Sequence, residues 1–365
     1  MTARFTVCSL FSRRRRAPAL LWVAGLLALY AGQSAIAQTQ GAPTSATIAG
    51  YQGADRTQRL IEAAKKEGEV SVYNSAPVDD MKVFAGAFEK KYGIKVKVWR
   101  ASSESIVHRA VAESRAGRFE VDIFETNSPE MEALQREKLL QEVKSPYLAD
   151  LIPQAIPPHR EWIGTRLNMF TAAYNTRLVK KEDLPKTYED LLHPRWKGKL
   201  GVEASDIDWF AGVITELGEA KGLKLFRDIV AANGISVRTG HTLLTNLVVS
   251  GEVPLALTIY NYKAEQLKND GAPIDWFVLP PGLARPQGVG MARRAPHPNA
   301  AVLFFDFMLS DAQALFLKRD FVPISKKLTT PLTRFPFRFV DPKVTLDEHD
   351  KWSRLYKEII INQAR

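Results

Sequence analysis

Four tyrosines stand at or near the ends of predicted strands, where a phenol can take part in several kinds of chemistry. They are Tyr73, Tyr174, Tyr260 and Tyr262. A phenol can donate a hydrogen bond, stack on a ligand or, once deprotonated, bind a hard cation such as Fe³⁺. The residue types therefore leave two chemistries open: an organic solute held by stacking and hydrogen bonds, or a ferric ion held by phenolates.

Small polar residues follow the same predicted strands. In open parallel sheets, ligands bind beyond the carboxyl ends of the strands, where helix N-termini present free N–H groups. The chain places six polar clusters there: Asn74-Ser75, Ser102-Ser103, Thr126-Asn127-Ser128, Ser205-Asp206, residues 239–242 and Tyr260-Asn261-Tyr262. Each can be an ordinary helix cap, but six clusters with aromatic neighbours favour a ligand cleft. In that cleft Ser75, Ser102, Ser103 and Asn127 would meet an anionic group, and Asp206 a cationic one.

Signatures of catalysis are missing from the sequence. It has no H-E-x-x-H, G-x-S-x-G or G-x-x-x-x-G-K-[ST] motif, and Gly288-Val289-Gly290 lacks the third glycine of the dinucleotide fingerprint because Arg293 stands there. The six histidines include no i, i+4 pair, and the only cysteine is Cys8. We therefore expect a binding protein without enzymatic activity or cofactor, with a secreted hydrolase as the alternative from another class.

Composition and net charge limit the fold classes and the kinds of partner that the chain can have. The 365 residues are 45% hydrophobic and 25% charged, as in globular proteins. Because single cores stop growing beyond about 250 residues, we expect two lobes. The net charge of +10 falls to +5 without residues 1–37, which hold five arginines and no acidic residue. So small a surplus does not favour nucleic acid as a partner, and we expect a monomer.

Residues 1–37 are predicted to be a cleavable signal peptide. Four arginines at 13–16 form a cationic region, residues 17–30 are apolar, and Ala35-Ile36-Ala37 supplies the small residues of a cleavage site. The apolar run is short for a membrane span, although an uncleaved anchor helix is the alternative. We expect a mature chain that starts at Gln38 and lies in the periplasm.

Hydrophobic periodicity predicts helices alternating with strands. The predicted strands are 70–73, 94–98, 121–124, 200–203, 235–237, 254–259 and 274–278. The helices include 207–217, 223–232, 243–250, 262–269 and an apolar helix at 300–309 that is expected to pack on the first lobe. Gly68 and Gly93 are predicted to end the first two helices. Strands spaced about 25 residues apart with a helix between them predict βαβ units and a parallel sheet.

Several segments resemble periplasmic solute-binding proteins of ABC importers. They are residues 70–75 with Phe84-x-x-x-Phe88, Ala172-Ala173-Tyr174-Asn175-Thr176, Pro194-Arg195-Trp196-Lys197-Gly198-Lys199, and Gly251-Glu252-Val253-Pro254. Their order is most similar to the ferric-ion-binding branch. The resemblance implies an α/β fold of two lobes, each a mainly parallel sheet flanked by helices and joined by crossing strands. It also implies that a solute is trapped in the cleft between the lobes and delivered to an ABC permease in the inner membrane.

The same resemblance divides the chain into segments. The first lobe is predicted to comprise residues 38–165, with 284–325 returning to it, and the second lobe residues 166–283. A C-terminal tail, residues 326–365, is predicted to pack on the lobes.

The ligand expectation depends on departures from the ferric-ion-binding branch. That branch usually carries two adjacent tyrosines where this chain has Tyr260-Asn261-Tyr262, and arginines where it has Asn168 and Phe170. These changes favour a small organic solute, anionic in character, over ferric iron as the transported ligand. If the ligand is Fe³⁺, the resemblance makes Tyr174 and Tyr262 its ligands. The expected binding residues are Tyr73, Asn74, Ser75, Ser102, Ser103, Asn127, Tyr174, Asp206, Tyr260 and Tyr262.

Overall fold

The computed structural model describes residues 44–363, so the predicted signal peptide lies outside the described residues. Within this range twelve strands form one sheet. They are β1 (Glu69–Asn74), β2 (Lys95–Arg100), β3 (Ile123–Asn127), β4 (Leu140–Gln141), β5 (Ile163–Asn175), β6 (Leu200–Glu203), β7 (Ser236–Arg238), β8 (Leu255–Tyr260), β9 (Ile274–Phe277), β10 (Leu283–Ala292), β11 (Val322–Pro323) and β12 (Arg338–Phe339).

Thirteen α-helices in the described range alternate with these strands. They are α1 (Ser45–Gly50), α2 (Arg56–Glu67), α3 (Val78–Tyr92), α4 (Ser103–Arg115), α5 (Ser128–Arg136), α6 (Ile207–Leu217), α7 (Glu219–Asn233), α8 (His241–Ser250), α9 (Asn261–Asn269), α10 (Pro298–Leu309), α11 (Asp311–Lys318), α12 (Pro342–Asp347) and α13 (His349–Tyr356). Short 3₁₀ turns and a π-helical turn at Lys357–Ile361 join or extend them. The predicted strand 200–203 and helix 207–217 coincide with β6 and α6.

The order of the strands separates the sheet into two parallel halves. The main path is β2-β1-β3-β10-β5-β8-β6-β7. Strand β1 pairs in parallel with β2 and β3, and β6 pairs in parallel with β7 and β8. Between the halves, β10 is antiparallel to β3 and β5, and β5 is antiparallel to β8. Two βαβ halves are therefore joined through a long antiparallel pair.

The two joining strands are buried along their whole length. All residues of β5 and β10 are shielded from solvent, including Arg166, Asn168, Arg285 and Gln287. Buried polar side chains need hydrogen-bonding partners, since leaving them without any costs about 1–3 kcal/mol each. All four side chains have such partners, including Glu125 for Arg166 and Asp208 for Arg285. The predicted lobe limits remain predictions, and the one at 165/166 falls inside β5.

Glycines and aromatic packing fix the helices of the first half. Gly68 and Gly93 end α2 and α3 with φ of +80° and +72°, as predicted, because glycine adopts this left-handed backbone without a Cβ clash. Helix α10 is almost entirely buried and packs on α2. Its Phe304 ring lies edge-on to Phe88 of α3, with 5.0 Å between centroids. The predicted apolar helix at 300–309 thus packs with the first helices of the chain.

The C-terminal helices contact elements from both halves of the sheet. Asp347 of α12 forms an ion pair with Arg136 of α5, and α13 packs on α6, where the Phe210 and Tyr356 rings lie 5.2 Å apart. Within residues 44–363, no single helix has the length and hydropathy of a membrane span. Helices α10 and α11 satisfy that test only as a pair, with a bend of 51° between them.

Candidate functional site

A cleft of about 530 Å³ lies where the carboxyl ends of strands from both halves face each other. Its walls come from the loops after β1, β2 and β3, the loops after β6, β7 and β8, and the joining strands β5 and β10. Seven of the ten residues expected to bind the ligand line this cleft: Ser75, Ser102, Ser103, Asn127, Asp206, Tyr260 and Tyr262.

The other three expected residues lie elsewhere in the structure. Tyr73 sits within β1, where its hydroxyl donates to the Glu113 carboxylate of α4 at 2.9 Å. Asn74 is fully buried, and its amide donates to Glu125 at 3.0 Å. Tyr174 packs against Phe277, with 6.2 Å between ring centroids.

The register of β5 explains the position of Tyr174. This residue pairs with Leu255 at the start of β8, whereas Tyr260 stands at its end and pairs with Phe170. Five residues of strand separate the two places, or about 16 Å. The structure therefore does not bring Tyr174 to the cleft that Tyr260 and Tyr262 line.

The cleft wall from the first half of the sheet carries hydroxyl, amide and guanidinium donors beside the carboxyl groups of Glu104 and Glu130. Helices α3, α4 and α5 begin at this wall, and the Ser102 side chain caps α4 by accepting from the Ser105 N–H at 3.3 Å. Asn127 precedes α5 but does not cap it; its amide donates to Ser103 at 2.9 Å. Helix N-termini carry a partial positive charge, and Asn127 does not cap α5, although Pro129 in its first turn has no N–H to offer. This wall is suited to an anionic group.

Three arginines line the cleft, and none of them was expected from the sequence. Arg166 pairs with Glu125 at 2.6 Å, and both side chains are at most 2% exposed. Arg285 pairs with Asp208 and also contacts the Tyr260 hydroxyl. Arg100 is exposed at the end of β2 and forms no ion pair within residues 44–363; its Nε donates to the Ala76 carbonyl at 3.4 Å. Arg100 is thus the arginine of the three whose charge remains available to a ligand.

The opposite wall carries carboxylates, a histidine and two phenols. Asp206 lies 3.2 Å from the His241 ring nitrogen, and the His241 ring packs on Tyr260 with 3.9 Å between centroids. Tyr260 and Tyr262 are near-parallel at 5.9 Å. Burial raises the pKa of both phenols above their usual range, so both are protonated at neutral pH. In this state they act as hydrogen-bond donors and stacking surfaces.

Glu130, in the first turn of α5, adds a titrating group to the cleft. Its Oε2 atom is buried without a hydrogen-bond partner in the described part of the chain. Burial raises its pKa to about 8, although Arg285 opposes the shift. The unfolded chain loses this proton near pH 4.3, so stability falls as pH rises from there towards 8 and then levels off.

Glu130→Gln should remove this pH dependence, because the amide does not titrate. Between pH 5 and pH 9 the wild type should lose on the order of 4 kcal/mol of unfolding free energy more than the variant, because its folded-state pKa of about 8 lies about three pH units above pH 5. Urea unfolding of both proteins at the two pH values measures the difference. Equal losses in both proteins would show that Glu130 is ionised throughout this range.

Comparisons with known proteins agree with this architecture. The family model of bacterial extracellular solute-binding proteins matches residues 74–315. Among solved structures, iron-bound HitA from Pseudomonas aeruginosa superposes with a TM-score of 0.69 and 24% identity, covering 80% of this chain and 99% of that one. AfuA from Actinobacillus pleuropneumoniae with bound fructose-6-phosphate gives a TM-score of 0.71 and 20% identity, covering 81% and 99%.

Curated relatives are similar at the level of sequence. The Fe(3+)-binding periplasmic protein of Serratia marcescens is 29% identical over 203 residues, which cover 55% of this chain and 59% of that protein. Iron uptake protein A1 of Synechocystis sp. is 23% identical over 277 residues, covering 72% and 76%. The alignment thus spans less than two thirds of the Serratia protein.

Two βαβ halves joined by crossing strands around one polar cleft define the two-lobed periplasmic-binding-protein fold, as the sequence predicted. Because the family model covers well over half of the chain, this protein belongs to the bacterial extracellular solute-binding protein family. That family consists of binding proteins.

Proposed function

We propose that this protein is the substrate-binding component of an ABC importer and captures a small organic solute with an anionic group. It works in the periplasm as a monomer after removal of residues 1–37, and it delivers the solute to a permease in the inner membrane. The solute lies between the lobes, in contact with Ser75, Ser102, Ser103, Asn127, Asp206, Tyr260 and Tyr262.

The position of Arg100 carries this proposal. Its guanidinium lines the cleft without an ion-pair partner in the described chain, at the wall where α3, α4 and α5 begin. A charge-assisted hydrogen bond from such a group contributes about 1.5–3 kcal/mol. The N-terminus of α5, which has no side-chain cap, adds to the same positive potential. Together these groups would bind a carboxylate, phosphonate or phosphate.

The size of the cleft also favours an organic solute over a bare ion. Its volume of about 530 Å³ falls within the range of about 300–1,000 Å³ typical of small-molecule sites. Tyr260 and Tyr262 offer protonated hydroxyls and near-parallel rings to such a solute. Contacts to both walls would favour a closed form, as in other two-lobed binders.

A thermal-shift screen with defined anions tests the proposal. The panel consists of mono- and dicarboxylates, alkylphosphonates and sugar phosphates, with ferric citrate and ferric nitrilotriacetate as the iron arm. We expect one anion class to raise the melting temperature with a saturable dose response, and to be recovered unchanged after incubation. Stabilisation by both iron compounds and by no anion would contradict the proposal. Conversion of the anion at enzymatic rates would favour the hydrolase alternative.

Ferric ion is the second candidate, and the names of the Serratia and Synechocystis relatives favour it. Tyr260 and Tyr262 share the cleft and would supply phenolate oxygens, which Fe³⁺ prefers. Each phenol would have to lose its proton against a pKa raised by burial, so binding would release protons and weaken at low pH. A visible charge-transfer band that appears with ferric citrate and disappears in Tyr262→Phe would establish this candidate. A colourless protein with unchanged melting temperature would eliminate it.

A further inference from the structure

We propose that Glu203, Asp206 and His241 form a binding site for a divalent transition-metal ion that does not use the tyrosines as ligands. Glu203 ends β6, Asp206 directly precedes α6, and His241 is the first residue of α8. The fold therefore brings the loops after β6 and β7, two neighbouring strands of one half of the sheet, together at the cleft. Each residue offers one donor atom, and these atoms lie within 4.8 Å of one another.

This spacing is close to what a metal ion requires. Nitrogen and carboxylate ligands bind such ions at about 2.0–2.2 Å, so two ligands of one ion are at most about 4.4 Å apart. The observed limit of 4.8 Å exceeds that value by a few tenths of an ångström. Small side-chain rotations would bring the three atoms onto one ion.

Two donor atoms in the cluster lack other partners. Asp206 is 1% exposed, and its Oδ2 atom makes no hydrogen bond within residues 44–363. The Nδ1 atom of His241 is likewise buried and unpartnered there. Buried polar atoms in folded proteins are nearly always paired, and an unpaired one calls for a specific explanation. A metal ion in the cluster would give the buried Asp206 Oδ2 atom the partner that it lacks.

The third residue is held rigidly by its surroundings. Glu203 accepts from the Gly240 N–H at 2.7 Å and from the Ser205 N–H at 2.5 Å, one with each carboxylate oxygen. Its backbone is tied to Thr258 and to Tyr356 by hydrogen bonds of 2.9 Å and 2.5 Å. Each carboxylate oxygen keeps a second lone pair for a ligand. Outer contacts of this kind orient metal ligands and increase affinity.

Charge and ligand type indicate which ions would bind. Two neighbouring buried carboxylates create a negative potential, while nearby Arg285 is neutralised by its own partner, Asp208. One imidazole and two carboxylates suit Zn²⁺, Co²⁺, Mn²⁺ or Fe²⁺, whereas Mg²⁺ and Ca²⁺ prefer oxygen alone. Three protein ligands leave coordination positions free towards the cleft, for water or for the solute.

Cobalt titration of the full-length mature protein, without a histidine tag, tests the site. We expect one Co²⁺ per chain with visible d–d bands, and the bands should disappear on addition of Zn²⁺. His241→Gln should weaken Co²⁺ binding at least about 10-fold. The matched control His108→Gln replaces an exposed histidine on α4 and should leave binding unchanged.

Two further variants separate this site from the tyrosines and from misfolding. Asp206→Asn should weaken Co²⁺ binding even if His241→Gln lowers stability, and the melting temperature reports on each fold. Tyr262→Phe should retain the cobalt spectrum. The proposal is overturned if wild-type protein takes up no Co²⁺, or if binding survives in both His241→Gln and Asp206→Asn. Loss of the spectrum in Tyr262→Phe alone would assign the metal to the tyrosines and overturn it as well.

Discussion

Glu125→Gln is expected to lower the free energy of unfolding by about 3–5 kcal/mol. Its carboxylate pairs with Arg166 at 2.6 Å where both side chains are at most 2% exposed, and it also accepts from Asn74 and Gln287. The neutral amide would leave the Arg166 charge buried without compensation. Such an uncompensated charge costs more than the pair contributes, because water no longer solvates it.

Urea unfolding at pH 7 measures this loss. The matched control is Asp183→Asn, whose partner Arg195 lies 2.6 Å away with both side chains more than 40% exposed. Solvent screens that pair, so the control should change stability by at most about 1 kcal/mol. Similar losses in the two variants would mean that burial does not govern the energy of the Glu125–Arg166 pair.

Arg100→Met is expected to weaken binding of the anion found in the thermal-shift screen by about 10- to 100-fold. The estimate corresponds to the loss of one charge-assisted hydrogen bond, about 1.5–3 kcal/mol. Stability should stay within about 0.5 kcal/mol of wild type, because Arg100 is exposed and has no ion pair in the described chain.

Isothermal titration of the variant against wild type measures the affinity. The control Arg115→Met removes an arginine of α4 that is 77% exposed and outside the cleft, and it should bind like wild type. Equal affinity in wild type and Arg100→Met would place the anionic group elsewhere.

The alternation of helices and strands could be predicted because most of these elements have one buried face. β6 and α6 were predicted to the residue, since apolar periodicity and local end signals agree there. The joining strands β5 and β10 were missed as strands. They are buried on both faces and contain Arg166, Asn168, Arg285 and Gln287, so their sequence shows neither alternation nor a continuous apolar run.

The polar residues of the site could be predicted because of their positions relative to the predicted strands. Ser75, Ser102, Asn127 and Asp206 follow strands at their carboxyl ends, and parallel topology brings such positions to one edge of the sheet. Tyr174 was misplaced because its position depends on the antiparallel register with β8, which the local sequence does not reveal.

No local sequence pattern marks Arg166 and Arg285 as residues of the cleft. Arg166 and Arg285 lie inside strands, and their partners Glu125 and Asp208 are 41 and 77 residues away in the chain. The pairing of such residues depends on strand order, which becomes known only with the tertiary structure. His241 and Glu203 came together for the same reason, through the parallel pairing of β6 with β7.

Native mass spectrometry of the protein isolated from the periplasm tests most directly whether the protein binds a small organic anion. The method measures the mass of the ligand that remains bound. The protein is released by osmotic shock without chelators and sprayed from ammonium acetate, with Arg100→Met and Tyr262→Phe prepared in parallel. We expect wild type to carry one adduct with the mass of a small organic anion, and the adduct to be depleted in Arg100→Met. An adduct equal in mass to a single iron atom, retained in Arg100→Met and lost in Tyr262→Phe, would contradict the account.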